Sequence, residues 1–196
     1  LPNGRLGVLI ADASGHGAPA AVLMAVAHSI AHTRPEPPLR PGEFLTYMNA
    51  HLTRRYTRPT GSFMTAFYAV FDPANGTLSY ASAGHNPPRL LRAADGFKLA
   101  LNRAQKLPLG IKPDESYLEQ TLPLLPGDQA VLFTDGVIEA VNAEGDVFGS
   151  DRIDEELETC LPTASALLKA ILATHGLFTA GTTPADDRTL VVVKRV

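Results

Sequence analysis

The chain has 196 residues, 45% of them hydrophobic and 19% charged, and a net charge of -3 from 17 Lys plus Arg against 20 Asp plus Glu. That length suits one domain with a substantial core, and the acidic balance argues against non-specific binding to nucleic acid or to an acidic membrane surface. No apolar run reaches membrane-spanning length and no signal-peptide pattern is present; a single cysteine, Cys160, excludes an internal disulfide and a thiolate metal cluster and fits a reducing, cytoplasmic setting.

In chain order, Leu1-Pro-Asn-Gly-Arg5 carries Asn3-Gly4, a strong hairpin signal. The pattern predicts that the sequence starts at a turn inside a domain, one strand short. Arg5 to Ala11 reads as a strand and Ala18 to Thr33 as a helix, with Ala20, Leu23, Met24, Ala27 and Ala31 on the core face. His28 and His32 are an i, i+4 pair that could in principle grip a transition metal, but no third ligand is in reach. Arg34 to Pro41 is a stiff linker. Pro41 suits a helix first turn, Phe44, Leu45, Met48 and Leu52 form its apolar face, and the helix ends near Thr57. Arg54-Arg55 and the later Lys194-Arg195 are too short for a phosphate-tracking stripe. They read as the wet faces of that helix and of the terminal strand.

Strands follow. Phe63 to Phe71 and Thr77 to Ala83 form a hairpin across Asp72-Pro-Ala-Asn-Gly76, whose Pro and Asn-Gly supply the turn dihedrals. After the tight loop Gly84 to Pro88, Arg89 to Arg92 and Phe97 to Leu99 form a second hairpin. Leu107 to Ile111 is an irregular apolar loop. Tyr117 to Leu122 alternates, with Leu118 and Leu122 on one face. Pro126-Gly127-Asp128 turns into a buried strand, Gln129 to Thr134, ending at Asp135-Gly136. Ser150 to Leu161 and Thr163 to Gly176 are predicted helices with Ser150 and Thr163 as N-caps; Cys160 falls in the first of them as a small buried apolar residue. Thr189 to Lys194 is the last strand. The order predicts an α+β fold of two packed antiparallel sheets with helices outside.

Three aspartates stand out. Val8-Leu-Ile-Ala-Asp12 and Val131-Leu-Phe-Thr-Asp135 are both buried strands ending at a carboxylate. Asp186-Asp187 immediately precedes the last strand. If that strand runs antiparallel to the other two, all three carboxylates converge at one sheet edge. Singly, each reads equally well as a turn or cap residue. Clustered, they repel unless cations hold them or protons neutralise them, and oxygen ligands without Cys or His select Mg²⁺ or Mn²⁺. Two such ions would activate a water and clamp a displacement at phosphorus, so the prediction is a metal-dependent phosphoester hydrolase.

Asp12-Ala-Ser-Gly-His-Gly17, Phe63-Met-Thr-Ala66, Tyr80-Ala-Ser-Ala-Gly-His85, Leu107-Pro-Leu-Gly110, Phe133-Thr-Asp-Gly-Val-Ile-Glu-Ala140, Phe148-Gly149 and Asp186-Asp-Arg-Thr189 occur in this order. The set resembles the PPM-type metal-dependent serine/threonine phosphatases, in their bacterial RsbU/SpoIIE branch, across essentially the whole chain. The resemblance implies a four-layer α/β/β/α sandwich of two antiparallel sheets flanked by helix pairs, here a single domain over 1–196 lacking its first strand. It implies two Mn²⁺ or Mg²⁺ ions bridged by a hydroxide that attacks phosphoserine or phosphothreonine. Asp12 would bridge both metals, the Ala13 carbonyl would serve one, and Asp135 and Asp186 would hold the second, with Asp187 supporting the turn or exchanging roles with Asp186. His16 is the candidate acid for the leaving seryl oxygen, a loop-bonding role being the alternative. His85 reads as loop scaffolding. The implied substrate is a phosphorylated STAS-type anti-sigma-factor antagonist, with an upstream sensor or receiver domain and no nucleic-acid or membrane partner; a homodimer is compatible with the pattern.

Two departures mark this chain: the acidic strand that normally opens the branch does not precede Leu1, and Arg188 stands where the family usually has an apolar residue. The rival reading is a catalytically silent binding module of the same fold. A haloacid-dehalogenase-type reading of Phe133-Thr-Asp135 fails because Phe133 occupies the nucleophile's place. Ser14 lacks the Gly-X-Ser-X-Gly elbow of a serine hydrolase.

Overall fold

The computed structural model describes residues 1–34, 36–58, 60–159 and 162–196; Cys160 and the end of the helix predicted to reach Leu161 lie outside the described residues. The elements are β1 (Leu6–Ala13), α1 (Ala18–Thr33), α2 (Pro41–Leu52), β2 (Met64–Asp72), β3 (Thr77–Ala83), β4 (Arg89–Leu91), β5 (Lys98–Ala100), β6 (Gln105–Lys106), β7 (Gln120–Pro123), β8 (Gln129–Phe133), α3 (Asp135–Ile138), α4 (Asp151–Glu158), α5 (Ala164–Phe178) and β9 (Leu190–Lys194). The described residues form an α+β fold with two sheets. It divides into two compact units: Leu1–His85 with Asn102–Leu124, and Asn86–Leu101 with Leu125–Val196.

The first unit holds the sheet β1-β2-β3-β6, with β7 also pairing β3. Asn3 and Gly4 both take positive φ, 62° and 70°, in a short 3-10 turn over Pro2–Gly4. The hairpin β2-β3 is as its turn predicts. Asp72 accepts the Asn75 amide N–H at 3.0 Å and its Nδ2 at 2.8 Å, and Asp72 faces Thr77 across the ladder. These bonds hold the Asp72 carboxyl below its ordinary pKa, the Asn75 side chain contributing most. Strand β1 runs two residues beyond the expected Ala11, because pairing with β2 continues through Asp12 opposite Thr65 and Ala13 opposite Met64.

Helices α1 and α2 pack on each other and on this sheet. On α2, Phe44, Leu45, Met48 and Leu52 are all buried as their spacing predicts, each worth roughly 1.5–3 kcal/mol. The helix then widens into a π-type turn over Thr53–Thr57. On α1 the buried face is Leu23, Ala27 and Ile30. Met24 is 39% exposed, so the predicted face is rotated: an alanine-rich helix has too few bulky residues to define its stripe from sequence. Strand β7 starts at Gln120, three residues after the predicted Tyr117. Tyr117 itself is buried and Leu118 exposed. The Tyr117 hydroxyl donates to the Leu107 carbonyl at 2.9 Å, and burial raises its pKa.

The second unit holds the fully antiparallel sheet β5-β4-β8-β9 with α4 packed on α5. Its core gathers Leu91, Val131, Phe133, Phe148, Leu157 and Ile171. Thr163 caps α5 as predicted, accepting the Ala166 amide at 3.1 Å. Ser150 does not cap α4: its backbone is already helical at φ -78°, ψ -20°, and its side chain makes no capping bond. Asp128 is fully buried and closes the base of the sheet. It accepts from Arg92 Nη1 at 2.6 Å, the Leu125 amide at 2.9 Å and the Ala93 amide at 3.0 Å.

Candidate metal centre

Asp12 is the penultimate residue of β1 and half-buried. The ladder extends past it, for the Ser14 amide donates to the Phe63 carbonyl at 2.9 Å and the Phe63 amide donates to Ser14 Oγ at 2.9 Å. Ser14 is thus a structural residue that holds the loop start. Gly15 and Gly17 take φ of 85° and 72°, so the turn into α1 needs glycine for its backbone. His16 lies between them and is exposed. Opposite Asp12, Thr65 Oγ1 lies 2.9 Å from Nδ1 of the buried His85, which fits the scaffolding role expected of His85.

Asp135 is the first residue of the short helix α3, which follows β8 directly and was not expected from the sequence. Its Oδ1 accepts the Gly136 amide at 2.9 Å, and Asp186 Oδ1 likewise accepts the Asp187 amide at 2.8 Å. Asp135 is half-buried and Asp186 exposed. Among the described residues neither makes a salt bridge, so both retain acceptor capacity suited to a hard cation.

The register of β8 and β9 brings these two together. Phe133 pairs with Leu190 in antiparallel fashion. Beyond that pair the Thr134 amide donates to the Thr189 carbonyl at 3.1 Å, and the Thr189 amide donates to Thr134 Oγ1 at 3.0 Å. Gly136 completes the approach. A Cβ there would lie 2.2 Å from the Asp187 carbonyl oxygen and 3.3 Å from Asp186 Cβ, so only glycine lets the two segments touch. A cleft of about 350 Å³ opens beside them, lined among others by Gly136, Glu139, Thr182, Asp186 and Arg188.

Asp135 and Asp186 therefore meet in the second unit, as an antiparallel last strand requires. The three aspartates do not lie at one sheet edge as expected, because Asp12 belongs to β1 in the other sheet. Strand-end patterns alone do not say which sheet a strand joins.

Residues 2–196 match the family described as Stage II sporulation protein E (SpoIIE). The chain belongs to the SpoIIE family.

Among curated relatives, this SpoIIE-family chain is 33% identical over 140 residues to phosphoserine phosphatase RsbU of Bacillus subtilis, covering 71% of the chain and 41% of RsbU. It is 31% identical over 133 residues to protein IcfG of Synechocystis, covering 68% of the chain and 21% of IcfG. The chain thus spans less than half the length of these relatives. Its fold is that of PP2C-type phosphatase domains. The SiaA PP2C domain of Pseudomonas aeruginosa matches with a TM-score of 0.81 at 21% identity, covering 97% of this chain and 80% of that one. The RsbU and RsbW domains of Rv1364c from Mycobacterium tuberculosis match at 0.75 and 22%, covering 97% and 52%. Among the described residues of the SpoIIE-family chain, no helix is long and apolar enough to cross a membrane.

Proposed function

We propose that this SpoIIE-family chain is the catalytic domain of a Mn²⁺- or Mg²⁺-dependent protein serine/threonine phosphatase, acting as one domain over residues 1–196. The observation that carries the reading is the Asp135–Asp186 pair, two carboxylates that form no salt bridge among the described residues and are delivered side by side by β8 and β9. Oxygen donors of this kind suit divalent Mn²⁺ or Mg²⁺. In this reading Asp12 and the Ala13 carbonyl complete the ligand set for two ions.

When bound, such ions activate water at neutral pH and stabilise charge developing on the phosphoryl oxygens. The chain's own residues do the rest. Asp135 and Asp186 are held by their neighbouring amides in fixed orientations, which limits the reorganisation that binding costs. Hydrolysis joins the water oxygen to phosphorus and breaks the bond from phosphorus to the seryl oxygen, which must take up a proton. His16 is the proposed donor of that proton: it sits in the exposed loop after Asp12, and imidazole is the side chain most often used as a general acid. Its alternative role, bonding the loop, would leave the leaving group to solvent.

The proposed substrate is a phosphorylated STAS-type regulatory protein in the cytoplasm, with an upstream sensor or receiver domain controlling the activity. The relationship to RsbU, a phosphoserine phosphatase, supports a phosphoserine substrate. The rival is a silent module of the same fold. Turnover of p-nitrophenyl phosphate with Mn²⁺ separates the two, and the chain joined to any natural upstream sequence is the decisive preparation. Turnover lost on chelation and absent in Asp135→Asn is expected. No turnover in the longer protein would leave only the binding module.

A further inference from the structure

The core stripe of α5 runs Leu167, Ile171, His175, so a histidine occupies an i+4 position where an aliphatic residue would pack. It is 5% exposed. A polar ring at such a place destabilises the core unless its nitrogens are bonded. Here both are. Nε2 lies 3.2 Å from the carbonyl oxygen of Val137, two residues after Asp135. Nδ1 lies 3.3 Å from Arg188 Nη1, two residues after Asp186. A carbonyl only accepts and a guanidinium only donates. The ring is therefore the neutral tautomer that donates from Nε2 to Val137 and accepts at Nδ1 from Arg188. Burial first, and the Arg188 cation second, hold its pKa below the usual value. The ring also packs on Phe148, with centroids 4.8 Å apart.

One side chain on a packed helix thus grips both segments that carry the carboxylates. The Thr134–Thr189 bonds hold the strand side of the Asp186 loop. The loop from Thr179 to Arg188 is mostly exposed; Thr179 ties its start to α5 through the His175 carbonyl, and Arg188 ties its Asp186 end to α5 through the His175 ring. This also gives a use to the arginine that stands where the family usually has an apolar residue.

We propose that His175 is a positioning residue of the metal centre, tying the Asp135 turn and the Asp186 loop to α5 and presetting the spacing of the two carboxylates. The proposal rests on the metal-centre reading above. It is tested by measuring Mn²⁺ affinity calorimetrically and Tm in chelator for three variants of the whole chain. His175→Phe keeps the packing on Phe148 and loses both bonds. His175→Gln retains an amide N–H donor and a carbonyl acceptor. Asp135→Asn is the metal control. His175→Phe is expected to weaken Mn²⁺ binding by about 10- to 100-fold, the usual effect of losing a group that orients a ligand, while the metal-free Tm is unchanged or higher. His175→Gln recovers most of the affinity. Wild-type affinity in His175→Phe, or equal losses in Phe and Gln variants, overturns the proposal. If His175→Phe fails to fold, Arg188→Met takes its place: it removes one bond from an exposed residue and must weaken Mn²⁺ binding at unchanged Tm, or the proposal falls. An unsubstituted chain that binds no Mn²⁺ refutes the metal-centre reading and this proposal with it. Binding that is lost in Asp135→Asn but untouched in His175→Phe refutes this proposal alone.

Discussion

Two opposing effects meet at Gly136. It lies within α3, where alanine is favoured over glycine by up to about 1 kcal/mol. Against that stands a 2.2 Å approach of the new Cβ to a backbone carbonyl, and overpacking costs about 1–3 kcal/mol. Backbone cannot swing aside as a side-chain tip does, so the clash wins. Gly136→Ala is expected to lower stability in urea melts and weaken Mn²⁺ binding; a stabilised variant with full affinity would contradict the close approach. His16 makes a second residue-scale case. If it protonates the leaving oxygen, His16→Asn slows hydrolysis of a phosphoserine peptide by about 100-fold or more. The same variant should spare p-nitrophenyl phosphate, whose phenolate leaves without a proton. Equal slowing of both substrates would point to the loop-bonding role instead. Asp12 and Asp135 were legible as site candidates because an apolar run meeting a carboxylate is a local pattern. His175 was not, since its partners lie 38 and 13 residues away in the chain and no spacing announces them.

Among the elements, α2 and the hairpin β2-β3 follow their sequence closely. Proline at the helix start, a regular apolar face and an Asp-Pro-Ala-Asn-Gly turn each act locally. Elements without such signals were missed. The two-residue strand β6 has no period to detect, and α3 is a single turn set by where β8 ends. Asp128 shows the same limit: it reads as a turn residue, yet it is the buried acceptor that joins β8 to the β4-β5 hairpin. Asp128→Ala removes one partner of a buried ion pair and leaves Arg92 and two amides without it, so a loss of about 3–5 kcal/mol is expected. Leu45→Ala, a cavity in a fully packed helix face, is expected to cost about 2–5 kcal/mol. Both are read from urea unfolding midpoints; an Asp128→Ala loss below that of an exposed alanine substitution would show that the buried pair contributes little.

For the whole molecule, metal and pH are the levers. A ligand bound only by the folded chain adds about 2.7 kcal/mol at a concentration 100 times its Kd. Mn²⁺ should therefore raise Tm in the unsubstituted chain and not in Asp135→Asn, and equal rises in both would place the metal elsewhere. The depressed pKa of His175 acts through folding. As pH falls below about 6.5, the unfolded chain takes up this proton before the folded one does. Its contribution is complete above that pH and is lost as pH falls through the lower folded value. Asp72 behaves alike in a more acidic window: its contribution is present above the ordinary carboxylate range and is lost as pH falls through the lower folded value. A drop in urea midpoint between pH 7.5 and 5.5 that is smaller in His175→Phe is expected; identical drops would assign the effect to other groups.

What the sequence by itself determined was local: the strands that end in aspartate, the helix faces with bulky residues, the turns with proline and Asn-Gly, and the family to which their order belongs. These follow from the periodicity and dihedral preferences of neighbouring residues. Only the tertiary structure decided that β1 joins one sheet while β8 and β9 pair in the other. It also decided that Gly136 admits Asp187 against the Asp135 turn, and that a histidine in the α5 core holds both carboxylate-bearing segments. Those outcomes depend on strand register and close packing between residues far apart in the chain, which no local pattern encodes.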